Sequence, residues 1–253
     1  MRIGSKLAAL AAAVCLTTLT GSVNAADITV VATGGPLPEV MGVLGPMFEK
    51  ASGHKVKLSI KGAPAIIKDV KEGASIDLIV SGDDTVDALV KDGLVAAGSS
   101  AKVMQSRVGL GVRTGAPKPD ISTTDALKAA LLAAKTVAHS QGTSGQFFTA
   151  VVAKLGIADA LKPKTIVVTG QPVGAVVAKG EAEIGIQQVA ELVPVPGVTL
   201  VGPLPADVNR IIGYSVGIPS KAKEMDAAKA FAKFIASGEA LAAYKQKGME
   251  PAS

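Results

Sequence analysis

The sequence predicts an α/β fold in two lobes, and three observations carry that prediction. Short apolar runs alternate with segments of helical period along residues 26–253, the pattern of crossover units on a mostly parallel sheet. The pattern pauses after Ala101 and restarts on a long, glycine-bearing strand over residues 103–112. A last strand over 211–218 and a helical tail then return to complete the first half. The expected division is lobe I over 26–105 plus 212–253 and lobe II over 106–211.

Residues 1–25 read as a secretory signal. Arg2 and Lys6 give the positive start, residues 7–19 the apolar run, and Val23-Asn24-Ala25 the small-residue cleavage site. About 13 mostly small residues are too few to cross a membrane core, which takes roughly 20. Cleavage after Ala25 removes Cys15, the only cysteine, so no disulfide or thiolate metal ligand is expected in the mature chain. It also leaves 24 basic against 21 acidic residues, too mild a balance for a nucleic-acid partner. Tryptophan is absent and aromatic residues make up 3% of the chain, which disfavours ligands that stack on rings or sit in aromatic cages.

In lobe I, strands are expected over 28–32, 56–60 and 77–80. The helix over 39–51 puts Val40, Val43, Leu44, Met47 and Phe48 on one face, a shorter one covers 66–71 and ends at Gly73, and a third covers 85–92 with an aspartate of Asp83-Asp84 as its cap. In lobe II, Thr123/Thr124-Asp125 opens a helix to Ala134, followed by short strands over 136–138 and 165–168, a helix over 173–179 and a strand over 183–188 ending in Gln187-Gln188. The tail over 223–248 turns Ala227, Ala230, Phe231, Phe234 and Ile235 to a core and is broken at Ser237-Gly238.

One loop stands out as chemistry. His139-Ser-Gln-Gly-Thr-Ser-Gly precedes Phe147, Phe148, Val151, Val152 and Leu155 at helical spacing, so it presents unpaired N–H groups at a helix N-terminus, with hydroxyls nearby. Read without context, it is equally an ordinary polar loop. The Gln187-Gln188 amides lie at the carboxyl end of a strand, where ligands bind in open α/β sheets.

The opening strand with its Thr33-Gly34-Gly35 turn, the run Glu72-Gly-Ala-Ser-Ile-Asp-Leu-Ile-Val-Ser-Gly-Asp and the run Ala182-Glu-Ile-Gly-Ile-Gln-Gln resemble the molybdate-binding periplasmic proteins of ABC importers, and the likeness spans the mature chain. The resemblance implies a type II periplasmic binding protein fold with two hinge crossings, placed near residues 105–108 and 209–214. It also implies a periplasmic monomer without cofactor that closes on a small anion and presents it to a permease in the inner membrane. By position, the family's site falls on Gly34, Gly35, Lys61, Gly62 and Ala63 in lobe I and on Thr143, Ser144, Gly145, Val173 and Gln188 in lobe II. The chain departs from the family at that site: serines of the first two loops are replaced by Gly35 and Gly62-Ala63, and a tyrosine by Gln188. Backbone donors survive these changes and hydroxyl donors do not. Lys61 adds a cation suited to a carboxylate, so the expected ligand is a molybdate-like oxyanion or a small organic carboxylate.

Catalysis is not expected. No nucleophile elbow or phosphate loop is present, and His54 and His139 have no metal-ligand spacing. The alternative reading is an exported enzyme acting on a small organic acid, built on the same scaffold.

Overall fold

The structure is a computed structural model and describes residues 25–252; the signal and Cys15 lie outside the described residues, Ala25 excepted. Lobe I opens with β1 (Asp27–Ala32), α1 (Leu37–Ser52), β2 (Lys55–Ile60), α2 (Ala63–Lys71), β3 (Leu78–Gly82) and α3 (Asp83–Lys91). The long β4 (Ala101–Arg113) leads to α4 (Thr124–Ala133), β5 (Val137–Ser140), α5 (Thr143–Lys154), α6 (Ala158–Leu161), β6 (Thr165–Val168), α7 (Val173–Ala178), β7 (Ile184–Gln188), α8 (Val189–Leu192) and β8 (Val198–Pro203). The chain returns through β9 (Ile211–Gly217), α9 (Met225–Ile235), α10 (Ala240–Gln246) and β10 (Glu250–Pro251).

Strand order along the sheet path is β2-β1-β3-β9-β4-β7-β5-β6. β1 lies parallel between β2 and β3, so Ile28, Val30, Val31 and Ala32 are buried on its two faces and only Thr29 interrupts the apolar run. In the other lobe β5 lies parallel between β6 and β7. The two lobes meet on β4. Its first half pairs antiparallel with β9, from Ala101↔Val216 to Arg107↔Ile211, and its second half with β7 and β8. The sheet is thus continuous through β4 although the cores are separate.

Lobe I has one core cluster around Val30, Leu44, Phe48, Phe231 and Ile235, where the Phe48 and Phe231 rings stack at 4.6 Å, and a second around Ile66, Ile79 and Leu89 on the opposite face. In lobe II, Leu110, Leu127, Phe148 and Ile186 form one cluster and Val173, Val176 and Val177 another. Burying each such side chain contributes about 1.5–3 kcal/mol. Ile212, on the return crossing, packs against the main cluster of each lobe.

Several local readings change. α1 and α2 begin at Leu37 and Ala63, earlier than the periodicity predicts, because Pro38 and Pro64 occupy the first turn, where a missing N–H costs nothing. Asp83 and Asp84 sit inside the first turn of α3 behind Gly82 and make no side-chain cap; Asp83 Oδ1 instead accepts from Ser215 Oγ at 2.7 Å. β8 was not anticipated. It follows Pro194 and Pro196 and pairs with β4 alone, the edge position where prolines nearby are tolerated. The tail breaks around Ser237-Gly238 as expected.

Candidate functional site

The carboxyl ends of β1, β2, β3, β5 and β7 open on one interlobe cleft of about 490 Å³. Each of these strands turns directly into a helix, so the helices begin at the cleft. α1 starts behind Gly34-Gly35-Pro36, α2 behind Gly62, and α5 behind Gly142, and in none does a side chain cap the first turn. The contrast is α4, outside the lining, where Thr123 Oγ1 accepts from Ala126 N–H at 3.1 Å. Helix starts left open in this way carry orphan N–H donors and the positive end of the macrodipole. α3 also begins here, but Asp83 and Asp84 in its first turn offset its positive end; α1 has one first-turn acid, Glu39, which is paired with Lys247 Nζ at 3.0 Å, and α2 and α5 have none.

Of the ten residues singled out from the sequence, Gly34, Gly35, Gly62, Ala63, Thr143, Ser144 and Gln188 line this cleft together. Gly35 has φ +72°, so the turn there requires glycine. The other three lie elsewhere. Lys61 Nζ sits 2.5 Å from Asp69 Oδ2 on α2, outside the lining. Gly145 packs under the preceding loop: a Cβ there would fall 1.6 Å from the Ser140 carbonyl oxygen. The Val173 N–H is already used, donating to Gln187 Oε1 at 3.0 Å.

Among the lining residues that the sequence did not single out, four bear on the chemistry. Tyr214 on β9 donates its hydroxyl to Gln188 Oε1 at 2.9 Å, a buried bond between the strands of opposite lobes, and burial raises the Tyr214 phenol above its usual range. With Oε1 so occupied, Gln188 Nε2 remains on the Gly35 side, 3.7 Å from where a Cβ on Gly35 would lie. Ser81, next to last in β3, is in the lining, fully buried, with no hydrogen-bond partner for its hydroxyl. Arg210, exposed on the return crossing, is the one basic residue of the lining among the described residues and forms no ion pair there. Glu191, on α8, is half-buried and takes a 2.8 Å hydrogen bond on Oε1 from Gln187 Nε2. Burial pushes its carboxyl above the ordinary range, while hydrogen bonds from Gln187 and Gln188 work against that rise. The sequence held a faint signal for three of these: Arg210 and Tyr214 stand at a predicted crossing, and Glu191 lies one helical turn beyond the Gln187-Gln188 pair.

A substrate-binding domain assigned to a molybdenum ABC transporter from Clostridium difficile superposes with a TM-score of 0.78 at 19% identity, over 90% of this chain and 100% of that one. The periplasmic molybdate-binding protein of Azotobacter vinelandii gives a TM-score of 0.69 at 21% identity, over 89% and 100%. The shared fold is the two-lobe type II periplasmic binding protein fold. In sequence, the chain is 36% identical over 232 residues to the aconitate isomerase of a Pseudomonas species, covering 88% of this chain and 87% of that relative. The family model of the bacterial extracellular solute-binding proteins matches residues 28–250, and this chain belongs to that family.

Proposed function

We propose that the cleft captures a small organic polycarboxylate, its carboxylates divided between the helix starts at Gly34-Gly35, Gly62-Ala63 and Thr143-Ser144 and the Arg210 guanidinium. The observation that carries this reading is the convergence of three uncapped helix N-termini on one cavity of about 490 Å³. Several separated seats for negative charge suit a ligand with several carboxylates better than one compact tetrahedral oxyanion. The volume lies within the roughly 300–1,000 Å³ usual for small-molecule sites. Aconitate, named for the 36% identical relative, is a six-carbon tricarboxylate and belongs to this ligand class. Molybdate, named for the structural neighbours, would meet hydroxyls at Ser81, Thr143 and Ser144 but none at Gly35, Gly62 or Ala63, and it gives Arg210 no separate carboxylate to hold. In this reading the protein is an exported, monomeric binding protein that hands its ligand to an ABC permease in the inner membrane.

Calorimetry and thermal shift with citrate, cis- and trans-aconitate, succinate, molybdate, tungstate and sulfate test it. A polycarboxylate at about 100 times its Kd should add roughly 2.7 kcal/mol of stability. Nanomolar molybdate binding with no response to any carboxylate would reject the reading.

A second reading is that the bound acid is transformed. It is favoured by the half-buried Glu191 carboxyl, an unexpected group in a site built for anions unless it handles protons.

A further inference from the structure

We infer that Glu191 is the proton-transfer group of this cleft: its carboxylate takes a proton from a CH2 flanked by a carbon–carbon double bond and a carboxylate in a bound unsaturated polycarboxylate, and returns it to the far carbon of the same three-carbon unit. This inference rests on the polycarboxylate reading above. The carboxyl is held in place rather than free to rotate. Val173 N–H donates to Gln187 Oε1 at 3.0 Å, which fixes the amide, and Gln187 Nε2 in turn donates to Glu191 Oε1 at 2.8 Å. The same carboxyl lies 4.0 Å from where a Cβ on Gly35 would be, so it faces the start of α1 across the cleft.

The other ionisable groups of the lining are less suited to the task. Asp83 is engaged by Ser215 Oγ and has Lys102 Nζ 3.9 Å from its second oxygen. Asp84 stands exposed in the first turn of α3. Tyr214 already donates its proton to Gln188. His139 lies outside the lining, with Nδ1 2.8 Å from its neighbour's carbonyl oxygen, Ser140 O. Arg210 carries permanent positive charge and cannot act as a base. Glu191 is partly desolvated, and its raised proton affinity makes it a stronger base than a surface carboxylate.

The step balances without a co-reactant. The C–H bond breaks, and its electron pair spreads over the three carbons and into the flanking carboxylate. Glu191 holds the proton as a neutral acid, and no group is oxidised or reduced. Protonation at the distal carbon moves the double bond by one position, and its new geometry can be cis or trans. The extra negative charge of the intermediate develops between the open helix starts and Arg210, where fixed donors stabilise it without rearrangement.

The test uses cis-aconitate and trans-aconitate as probes, with conversion followed by proton NMR and binding by calorimetry. Wild type should interconvert them. Glu191→Gln should bind either probe within about threefold of wild type, because no anion seat is removed, yet convert at least a thousandfold more slowly. Glu191→Asp, which keeps the acid but withdraws it by one methylene, should be slowed by roughly ten- to a hundredfold and serves if the glutamine variant melts early. Equal rates for wild type and Glu191→Gln would overturn the inference. So would tight aconitate binding by a wild type that never converts it, which leaves the polycarboxylate reading intact. Failure of wild type to bind aconitate, citrate or succinate would overturn both.

Discussion

Asn209 clasps Val108: its Nδ2 donates to the Val108 carbonyl oxygen at 3.1 Å, and its Oδ1 accepts from the Val108 N–H at 3.2 Å. Val108 is where β4 exchanges β9 for β7 as a partner, and Asn209 stands just before β9, so this amide ties one crossing to the other. A further Nδ2 bond to the Leu204 oxygen at 2.8 Å anchors it to the end of lobe II. Asn209→Ala leaves these backbone groups to find water or go unpaired, and should cost on the order of 1–3 kcal/mol by urea unfolding. A change below about 0.5 kcal/mol would mean that the crossing is held by its strands alone.

Arg210 and Lys61 exchange the roles that sequence position implies. Lys61 is committed to Asp69 in a partly exposed pair, which is worth about 0–1 kcal/mol. Lys61→Ala should therefore leave citrate or aconitate affinity within threefold. Arg210→Gln removes the cation that lines the cleft, and losing one charge-assisted contact of about 1.5–3 kcal/mol should weaken binding roughly ten- to a hundredfold. Calorimetry showing the reverse order of sensitivities would place the ligand against α2 instead.

The parts of this fold that were legible are those whose signal is local. Alternation of apolar runs and helical periods located nearly every strand, and the glycine turns after β1 and β2 marked where backbone must stay unobstructed. β8 was lost because its flanking prolines read as loop, and only its edge pairing with β4 makes them acceptable. Lys61, Gly145 and Val173 were legible as neighbours of the site in sequence, but their side chain, packing or N–H is claimed by Asp69, Ser140 and Gln187, contacts that no local pattern encodes. Tyr214 is the clearest non-local case. Its hydroxyl reaches Gln188 from 26 residues away because β7 and β9 both pair with β4, an adjacency that no local pattern encodes.

Gly145 tests why α5 opens on glycine. The Ser140 carbonyl passes so close that even a methyl group has no room, and the obstruction is backbone, which cannot rotate aside. Gly145→Ala should destabilise the protein by about 1–3 kcal/mol and displace the Ser140 to Ser144 loop, where the two hydroxyl oxygens now lie 3.3 Å apart. Ligand affinity should fall with it. An unchanged melting temperature would show that the loop is looser than this packing implies.

Ser81 makes the opposite prediction. Its hydroxyl is buried without a partner, so Ser81→Ala should be neutral or slightly stabilising in the free protein. If the hydroxyl instead meets a ligand carboxylate, the same variant should bind citrate or aconitate more weakly, by about 0.5–1.5 kcal/mol for one hydrogen bond. Loss of stability without loss of affinity would assign Ser81 to the fold alone.

The pH dependence of stability follows from Glu191. Its folded-state pKa lies above the unfolded value of 4.5, so between the two the native state holds the proton more tightly than the unfolded chain does. Stability contributed by the neutral acid is fully present below pH 4.5 and is lost as pH rises through the folded value. Tyr214 adds nothing to this window, because burial drives its phenol upward, away from neutral pH. Arg210 stays charged throughout. Glu191→Gln mimics the neutral acid at every pH, so its advantage over wild type should grow from pH 4.5 upward and then level off, in paired urea titrations across pH 4 to 8. Parallel curves for the two proteins would show that the Glu191 carboxyl ionises as easily as an exposed one, and would remove its claim to be a tuned proton carrier.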